Sequence, residues 1–180
     1  MRSVFALLIL LFLATALWAH PVSVGLGSTF LFGNQYEDIE MGGEMRISYY
    51  LFESTLASVL RRERLTTLMA GGLAYTIMGV ARVSLAMGPV VQLDYRDVFF
   101  DWRYMDSSYH YTSVESFSEA YYNGLINYRA YVEAILFPLS LSLTYQVPTL
   151  SASFANFKEG DFSPVWERGL WGLTLFYWLL

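Results

Sequence analysis

Between Ile39 and Phe52 apolar and polar residues trade places at almost every step. Ile39, Met41, Gly43, Met45, Ile47, Tyr49 and Leu51 take the odd positions; Glu40, Gly42, Glu44, Arg46, Ser48, Tyr50 and Phe52 take the even ones. A β-strand puts two such sets on opposite faces, whereas a helix would scatter both around its circumference. The same period recurs along the chain. Leu139, Leu141, Leu143, Tyr145 and Val147 oppose Ser140, Ser142, Thr144 and Gln146, and Ile126, Tyr128, Ala130, Val132 and Ala134 oppose Asn127, Arg129, Tyr131 and Glu133. Shorter versions run through Val22–Phe32, Leu73–Met87, Val91–Arg96 and Trp171–Leu179.

Breaks in the alternation divide the chain into about eight strands, near 22–33, 38–52, 55–68, 73–87, 90–103, 117–136, 139–157 and 164–180. Short breaks are expected at Glu53–Ser54, Gly88–Pro89 and Phe137–Pro138, because Pro has no N–H for a ladder and fixes φ. Other connections are expected at Gly33–Tyr36, Met69–Gly72, Tyr104–Ser116 and Lys158–Ser163. The two kinds interleave, so an up-and-down sheet would carry three tight turns at one end and four loops at the other. The segment 55–68 fits this scheme least well. It alternates poorly, and Leu56, Val59, Leu60 and Leu65 behind Ser54 equally suit an amphipathic helix with a Ser N-cap.

The N-terminus differs in kind. Arg2 precedes an apolar run, Val4–Leu13, and the small residues Ala14, Thr15 and Ala16 follow, then Leu17, Trp18 and Ala19. That order predicts a secretory signal peptide over residues 1–19, cleaved after Ala19, with Ala14–Thr15–Ala16 as the competing site. The run is shorter than the ~20 residues of a spanning helix. Beyond it, every apolar stretch is interrupted by Arg, Glu or Asp, so residues 20–180 are expected to form one β-barrel domain without a transmembrane helix.

The polar faces decide which way such a barrel points. They carry Glu40, Glu44, Asp94, Glu119 and Glu133 against Arg46, Arg82, Arg96, Arg129 and Arg168, balanced in sign although the 180-residue chain has a net charge of −5. Lys158 is the single Lys. A wet outer surface has no reason to balance its charges, whereas a closed lumen needs Arg–carboxylate pairs that survive desolvation. These ten residues are therefore assigned to a charge network filling the lumen, and Ile47, Val132, Leu141, Leu143 and Leu173 to the lipid face. A soluble binding barrel would reverse this facing. Aromatics make up 18% of the chain. Tyr49, Tyr50, Phe52, Phe137, Tyr177 and Trp178 gather near the turn end, and Trp102, Tyr104, Tyr121, Tyr122, Phe154, Phe157 and Trp166 near the loop end, as interfacial girdles would.

Signal segment, alternating strands and the terminal amphipathic strand Trp171–Leu180 together resemble the small outer-membrane barrels of the OmpA, OmpX and OmpW type. The resemblance implies an all-β, antiparallel, up-and-down transmembrane β-barrel in the bacterial outer membrane. Its implied partners are outer-membrane lipid and the assembly machinery that reads the last strand. The chain departs from the family in ending Leu179–Leu180 rather than in Phe or Trp. Relatives include adhesins, anchors and channels for small hydrophobic molecules. The expected role is structural or interactive, adhesin- or anchor-like, with a host or extracellular ligand as partner; the alternatives are an OmpW-like conduit for a small hydrophobic molecule and a membrane-embedded lipid-modifying enzyme.

The chemistry-bearing residues add little to an enzyme reading. There is no Cys, and the two His are His20 and His110. His110 lies with Asp106, Ser107 and Ser108 in a Tyr/Ser-rich stretch, but clustering alone supplies neither an aligned base nor an oxyanion site. No metal-ligand spacing or phosphate-binding Gly loop appears, so no cofactor is expected, and an acidic chain has no footprint for nucleic acid. The adaptable loop Tyr104–Ser116, with Tyr104, Tyr109, His110 and Tyr111, is the candidate external binding surface.

Overall fold

The alternating segments pair in chain order and close on themselves. A computed structural model describes residues 22–33, 36–61, 63–95 and 100–179; the expected signal segment 1–19 and His20 lie outside them. The elements are β1 (Val22–Gly33), β2 (Tyr36–Tyr49), β3 (Phe52–Arg61), β4 (Arg64–Ile77), β5 (Ala81–Asp94), β6 (Asp101–Met105), β7 (Tyr111–Val114), α1 (Phe117–Asn123), β8 (Ile126–Leu136), β9 (Leu139–Pro148) and β10 (Leu170–Trp178). Every strand pair is antiparallel. β1 to β5 are neighbours in order, β5 pairs with β8, and β8, β9 and β10 continue around to β1. The result is a closed eight-stranded barrel, with the β6–β7 hairpin paired to the loop-side end of β5 at Val91–Asp94.

Polarity is inverted relative to a water-soluble barrel. Ile47, Val132, Leu141, Leu143 and Leu173 stand outward and are 39–60% exposed, while Arg129, Glu133 and Ser142 are at most 1% exposed. The outer face is continuously apolar across β8, β9 and β10. The outward hydroxyls of Ser58 and Thr67 pair with each other across β3 and β4 at 2.9 Å. No helix among the described residues is long and apolar enough to cross a membrane.

Three connections at one end alternate with four at the other as expected, but of those four only β5–β8 and β9–β10 are long, since β1 and β2, like β3 and β4, are separated by two residues. Two of the three tight turns also lie elsewhere than expected. The three occupy residues 50–51, 78–80 and 137–138. The Gly71–Gly72 and Gly88–Pro89 breaks are instead interior to β4 and β5. Gly72 and Gly88 serve close approach between these two strands. A Cβ on Gly72 would lie 2.2 Å from the Leu85 carbonyl oxygen, and one on Gly88 1.8 Å from that of Met69. Pro89 falls where the β4–β5 ladder skips from Leu68↔Val90 to Gly71↔Met87, so no ladder hydrogen bond needs its missing N–H.

The segment 55–68 is not a helix. Its first half is β3, with Leu56 and Leu60 outward and Ala57 and Val59 buried in the lumen. The expected strand 90–103 is the end of β5 followed by β6. The expected strand 117–136 divides into α1, N-capped by Ser116 whose hydroxyl accepts the Glu119 N–H, and β8. β9 ends at Pro148 and β10 starts at Leu170.

The adjacent glycines of β4 provide an internal control. Gly71 faces outward with nothing near its would-be Cβ, whereas Gly72 faces the neighbouring backbone. Gly72→Ala is expected to destabilise the barrel by about 1–3 kcal/mol through overpacking. Gly71→Ala is expected to be neutral or slightly stabilising. Urea unfolding of both variants in lipid checks this; equal midpoints would contradict the packing.

Candidate functional site

The lumen is built in two halves. Inward positions toward the tight turns carry charge; inward positions toward the loops are mostly apolar or amide.

In the turn-side half, three arginines and three glutamates neutralise one another. Arg46 on β2 is the hub. Its Nε donates to Glu44 Oε1 at 2.7 Å and its Nη1 to Glu133 Oε2 at 2.7 Å, while Nη2 reaches the Ser142 hydroxyl at 3.1 Å. The guanidinium is stacked between the rings of Tyr131 and Phe176, at 3.7 and 4.1 Å from their centroids. Arg129 Nη2 donates to the other Glu44 oxygen at 2.5 Å. Glu133 also receives the Trp178 indole N–H at 3.0 Å and the Ser140 hydroxyl. Nearer the turns, Arg82 lies 3.3 Å from Glu53 and donates to the Ser48 hydroxyl. Glu53 further accepts from the Tyr131 hydroxyl at 2.6 Å and the Ser48 hydroxyl at 3.2 Å. All six ionic side chains are at most 7% exposed. Burying that many charges is tolerable only where each is paired with an opposite one. Arg82 Nε and Arg129 Nε are buried without a hydrogen-bond partner.

The ten residues assigned to the lumen separate into groups. Glu44, Arg46, Arg82, Arg129 and Glu133 come together, joined by Glu53, which the sequence reading had placed in a turn. Arg82 pairs with Glu53, and Arg129 with Glu44. Asp94 is buried at the loop-side rim between Arg64 (3.4 Å) and Arg103 (3.3 Å). Glu40 lines the loop-side cavity. Glu119 is not in the lumen but exposed on α1, because its segment is helical. Arg168 is not in a strand but in the short 3-10 turn Trp166–Arg168, lying over the Tyr109 ring at 3.9 Å. Arg96 lies outside the described residues. Trp178, assigned to the turn-side girdle, points inward and is 5% exposed; Tyr49, Tyr50, Phe52, Phe137 and Tyr177 are outward and exposed.

Above the charged half lies a cavity of about 370 Å³ that reaches the loop end. Leu31, Ala57, Val59, Leu68 and Val90 form its apolar wall, and Thr29, Thr66, Gln92, Asn127 and Gln146 its polar one. Thr29 and Thr174 hydroxyls lie 2.9 Å apart, and Thr174 lies 3.2 Å from Glu44 Oε2, so the cavity floor is tied to the ion network. Tyr109, Tyr111 and Arg168 stand at the mouth.

The expected loop Tyr104–Ser116 is ordered as the β6–β7 hairpin and its turn. Tyr104 lies in β6, and Tyr109 adopts φ 61° at the turn, where its hydroxyl donates to the Thr149 carbonyl at 3.4 Å. His110 is exposed. Asp106 is engaged by the turn itself: its carboxylate accepts the Ser108 and His110 backbone N–H groups at 2.8 and 3.0 Å and the Thr112 hydroxyl at 3.3 Å. That geometry spends the carboxylate on the backbone rather than on orienting an imidazole. Aromatics of α1 and the segment before β10 stack beside it in a chain from Trp102 through Phe117, Tyr121 and Phe154 to Phe157. No cluster of metal-ligating side chains occurs among the described residues.

No protein-family model matches the chain, and no curated protein sequence does. Among solved structures it is similar to Ail, the attachment invasion locus protein of Yersinia pestis, with 11% identity over 88% of this chain and 96% of that one, at a TM-score of 0.44. The same protein in complex with the heparin analogue sucrose octasulfate gives 10% identity, the same coverage and a TM-score of 0.41.

Two outcomes follow from this geometry. Arg46→Ala strips both Glu44 and Glu133 of a partner and is expected to cost about 3–5 kcal/mol in urea unfolding. Arg129→Ala should cost less, because Glu44 keeps the Arg46 Nε contact, and Arg46→Lys should recover little, since one ammonium cannot span two carboxylates between two rings. Equal losses for the two alanine variants would contradict the hub. At the hairpin, the His110 backbone N–H, followed by those of Ser108 and the Thr112 hydroxyl, holds the Asp106 carboxyl below its ordinary value of 3.8. A depressed folded-state pKa stabilises the turn above that value, and the contribution disappears as pH falls through the lowered one. The Ser108 and His110 amide resonances should therefore titrate together with an inflection below 3.8; an inflection above it would mean the turn is not closed by Asp106.

Proposed function

We propose that the protein is a bacterial outer-membrane barrel with a structural or partner-binding role, closed to ions and displaying its recognition surface at the loop end. The observation that carries this reading is the inverted polarity: an apolar outer wall around four buried Arg–Glu pairs formed by three arginines and three glutamates. Water would not favour the exterior, with Leu85 63%, Val132 60% and Leu73 58% exposed. Lipid would, and a closed barrel leaves no unpaired strand edge in it. Its partners are then outer-membrane lipid, the assembly machinery that inserts such barrels, and a ligand outside the cell.

The loop end suits that last role. The β6–β7 hairpin, α1 and the aromatic chain from Trp102 to Phe157 form an ordered platform rather than a floppy loop. Tyr and Phe provide contact area at low entropic cost, as recognition surfaces do. The channel alternative is disfavoured by the ion network, which fills the turn-side half of the lumen in a barrel just wide enough there for its side chains. The lipid-modifying alternative is disfavoured by Asp106, which is committed to the hairpin turn.

Cysteine scanning in membranes tests the reading. Cysteines at Val132, Leu141 and Leu173 should resist water-soluble thiol reagents, and unheated protein should migrate differently from boiled protein on a denaturing gel. Planar bilayers should show no large, steady conductance. Strong labelling at those three positions would overturn the membrane assignment, and porin-like currents would overturn the plug.

A further inference from the structure

We propose that the loop-side half of the lumen is a dead-end binding pocket for a small uncharged molecule with an apolar body and one hydrogen-bonding group. The inference rests on the plugged-barrel reading and extends it from a closed wall to a ligand site.

The apolar lining is the first reason. In a barrel whose exterior already faces lipid, inward positions have no solvent reason to be apolar, and in the turn-side half most are charged or hydroxylic, with Phe176 and Trp178 covering guanidinium groups. Yet Ala57, Val59, Leu68 and Val90 all point inward on three consecutive strands, joined by Leu31 across the lumen. They do not fill the space between them: about 370 Å³ remains, within the range of small-molecule sites. Side chains larger by a few carbons would have closed it at native packing density.

Gln92 is the second, independent reason. It is 4% exposed and lines the cavity, its Nε2 donates to the Thr66 hydroxyl at 3.1 Å, and its Oε1 has no partner. A buried amide oxygen left unsatisfied is costly and calls for a donor. A hydroxyl or N–H on the ligand supplies one while the rest of the molecule covers the Val59–Val90 wall. The floor explains why the occupant stays uncharged and does not pass through. Thr29 and Thr174 close directly onto Glu44, whose charge is fully neutralised by Arg46 and Arg129. The charged residues elsewhere in the lining, Glu40 and Glu167 against Arg64 and Arg168, balance in sign, with Arg64 paired to Asp94 and Arg168 set over the Tyr109 ring. The cavity therefore offers no net charge to an ionic ligand, and the ion network bars the way to the turn end.

The probes are 1-naphthol, which has an apolar body and one hydroxyl, and naphthalene, which lacks the hydroxyl. Full-length protein in lipid nanodiscs is dialysed against each, with empty nanodiscs as the reference. The expected result is a saturable, one-to-one excess of 1-naphthol over empty discs. Val59→Trp should abolish it, and Ala57→Phe, a milder filling of the same wall, should weaken it strongly. Gln92→Leu should weaken 1-naphthol by about tenfold, the worth of one buried hydrogen bond, and leave naphthalene within about twofold. All variants are compared only where the heated and unheated forms still migrate apart. No excess over empty discs, or an excess unchanged by both filling variants, would overturn the pocket while leaving the barrel reading intact. Binding accompanied by steady ion conductance would instead overturn the closed floor.

Discussion

Arg46 occupies the point on which the interior turns. A guanidinium at 0% exposure is tolerable only where its donors are met and its faces are covered. Here two carboxylates and a serine take the donors, and Tyr131 and Phe176 cover the faces. Because those partners come from β2, β8, β9 and β10, one side chain fixes the distance between opposite walls of the barrel. Glu44 passes the constraint to Arg129 and Thr174, and Tyr131 passes it to Glu53 and Arg82. Lysine could not do this: it lacks both the planar fork and the stacking face. The choice of Arg rather than Lys at positions 46, 82 and 129 has the same origin.

Much of this was legible in the alternation. Period two separates the faces without reference to where a strand begins, so Ile47, Val132, Leu141, Leu143 and Leu173 were assigned outward and Arg46, Arg129 and Glu133 inward from the sequence. Strand ends were less legible. Gly-Gly and Gly-Pro are the commonest turn vocabulary, yet at Gly72 and Gly88 the same lack of a Cβ serves close contact between two strand backbones. Moving those two breaks shifted the ends of β3, β4 and β5 together, and it hid Glu53, which looked like a turn residue and is a buried counter-ion. A charged residue in phase with Thr55 and Ala57 was the available signal. Trp178 was misassigned for a related reason: an aromatic at a strand end fits a girdle by composition, and only its even phase with Thr174 and Phe176 marks it as inward.

The segment 55–68 failed to alternate for a reason that bears on the loop-side half. Its outward positions mix Leu56 and Leu60 with Ser58 and Thr67, and its inward positions mix Thr55 and Thr66 with Ala57, Val59 and Leu68, of which the apolar three line the cavity. A stretch with apolar residues on both faces cannot be told from a short helix by periodicity. The weakest stretch of the pattern thus coincides with the one wall of the lumen that is not polar. The hairpin and α1 were illegible in a different way. They are short elements held by Ser116 capping, Asp106 and contacts to β5, and none of those has a period to read.

Trp178 sits on the last strand, yet its indole N–H is satisfied by Glu133 and Ser140 on β8 and β9, while its backbone neighbour Leu179 donates to Val24 on β1. Thr174, on the same strand, reaches Glu44 on β2. Before β10 takes its place, Glu133 and Glu44 each lack a ligand, and β1 has an unpaired edge. Zipping the seam and completing the interior are therefore a single event. In the lipid surroundings proposed above, partly closed forms would carry both an open edge and under-coordinated charge, each of them penalised, so folding of this barrel is expected to be cooperative, with few stable intermediates between an open sheet and a finished cylinder.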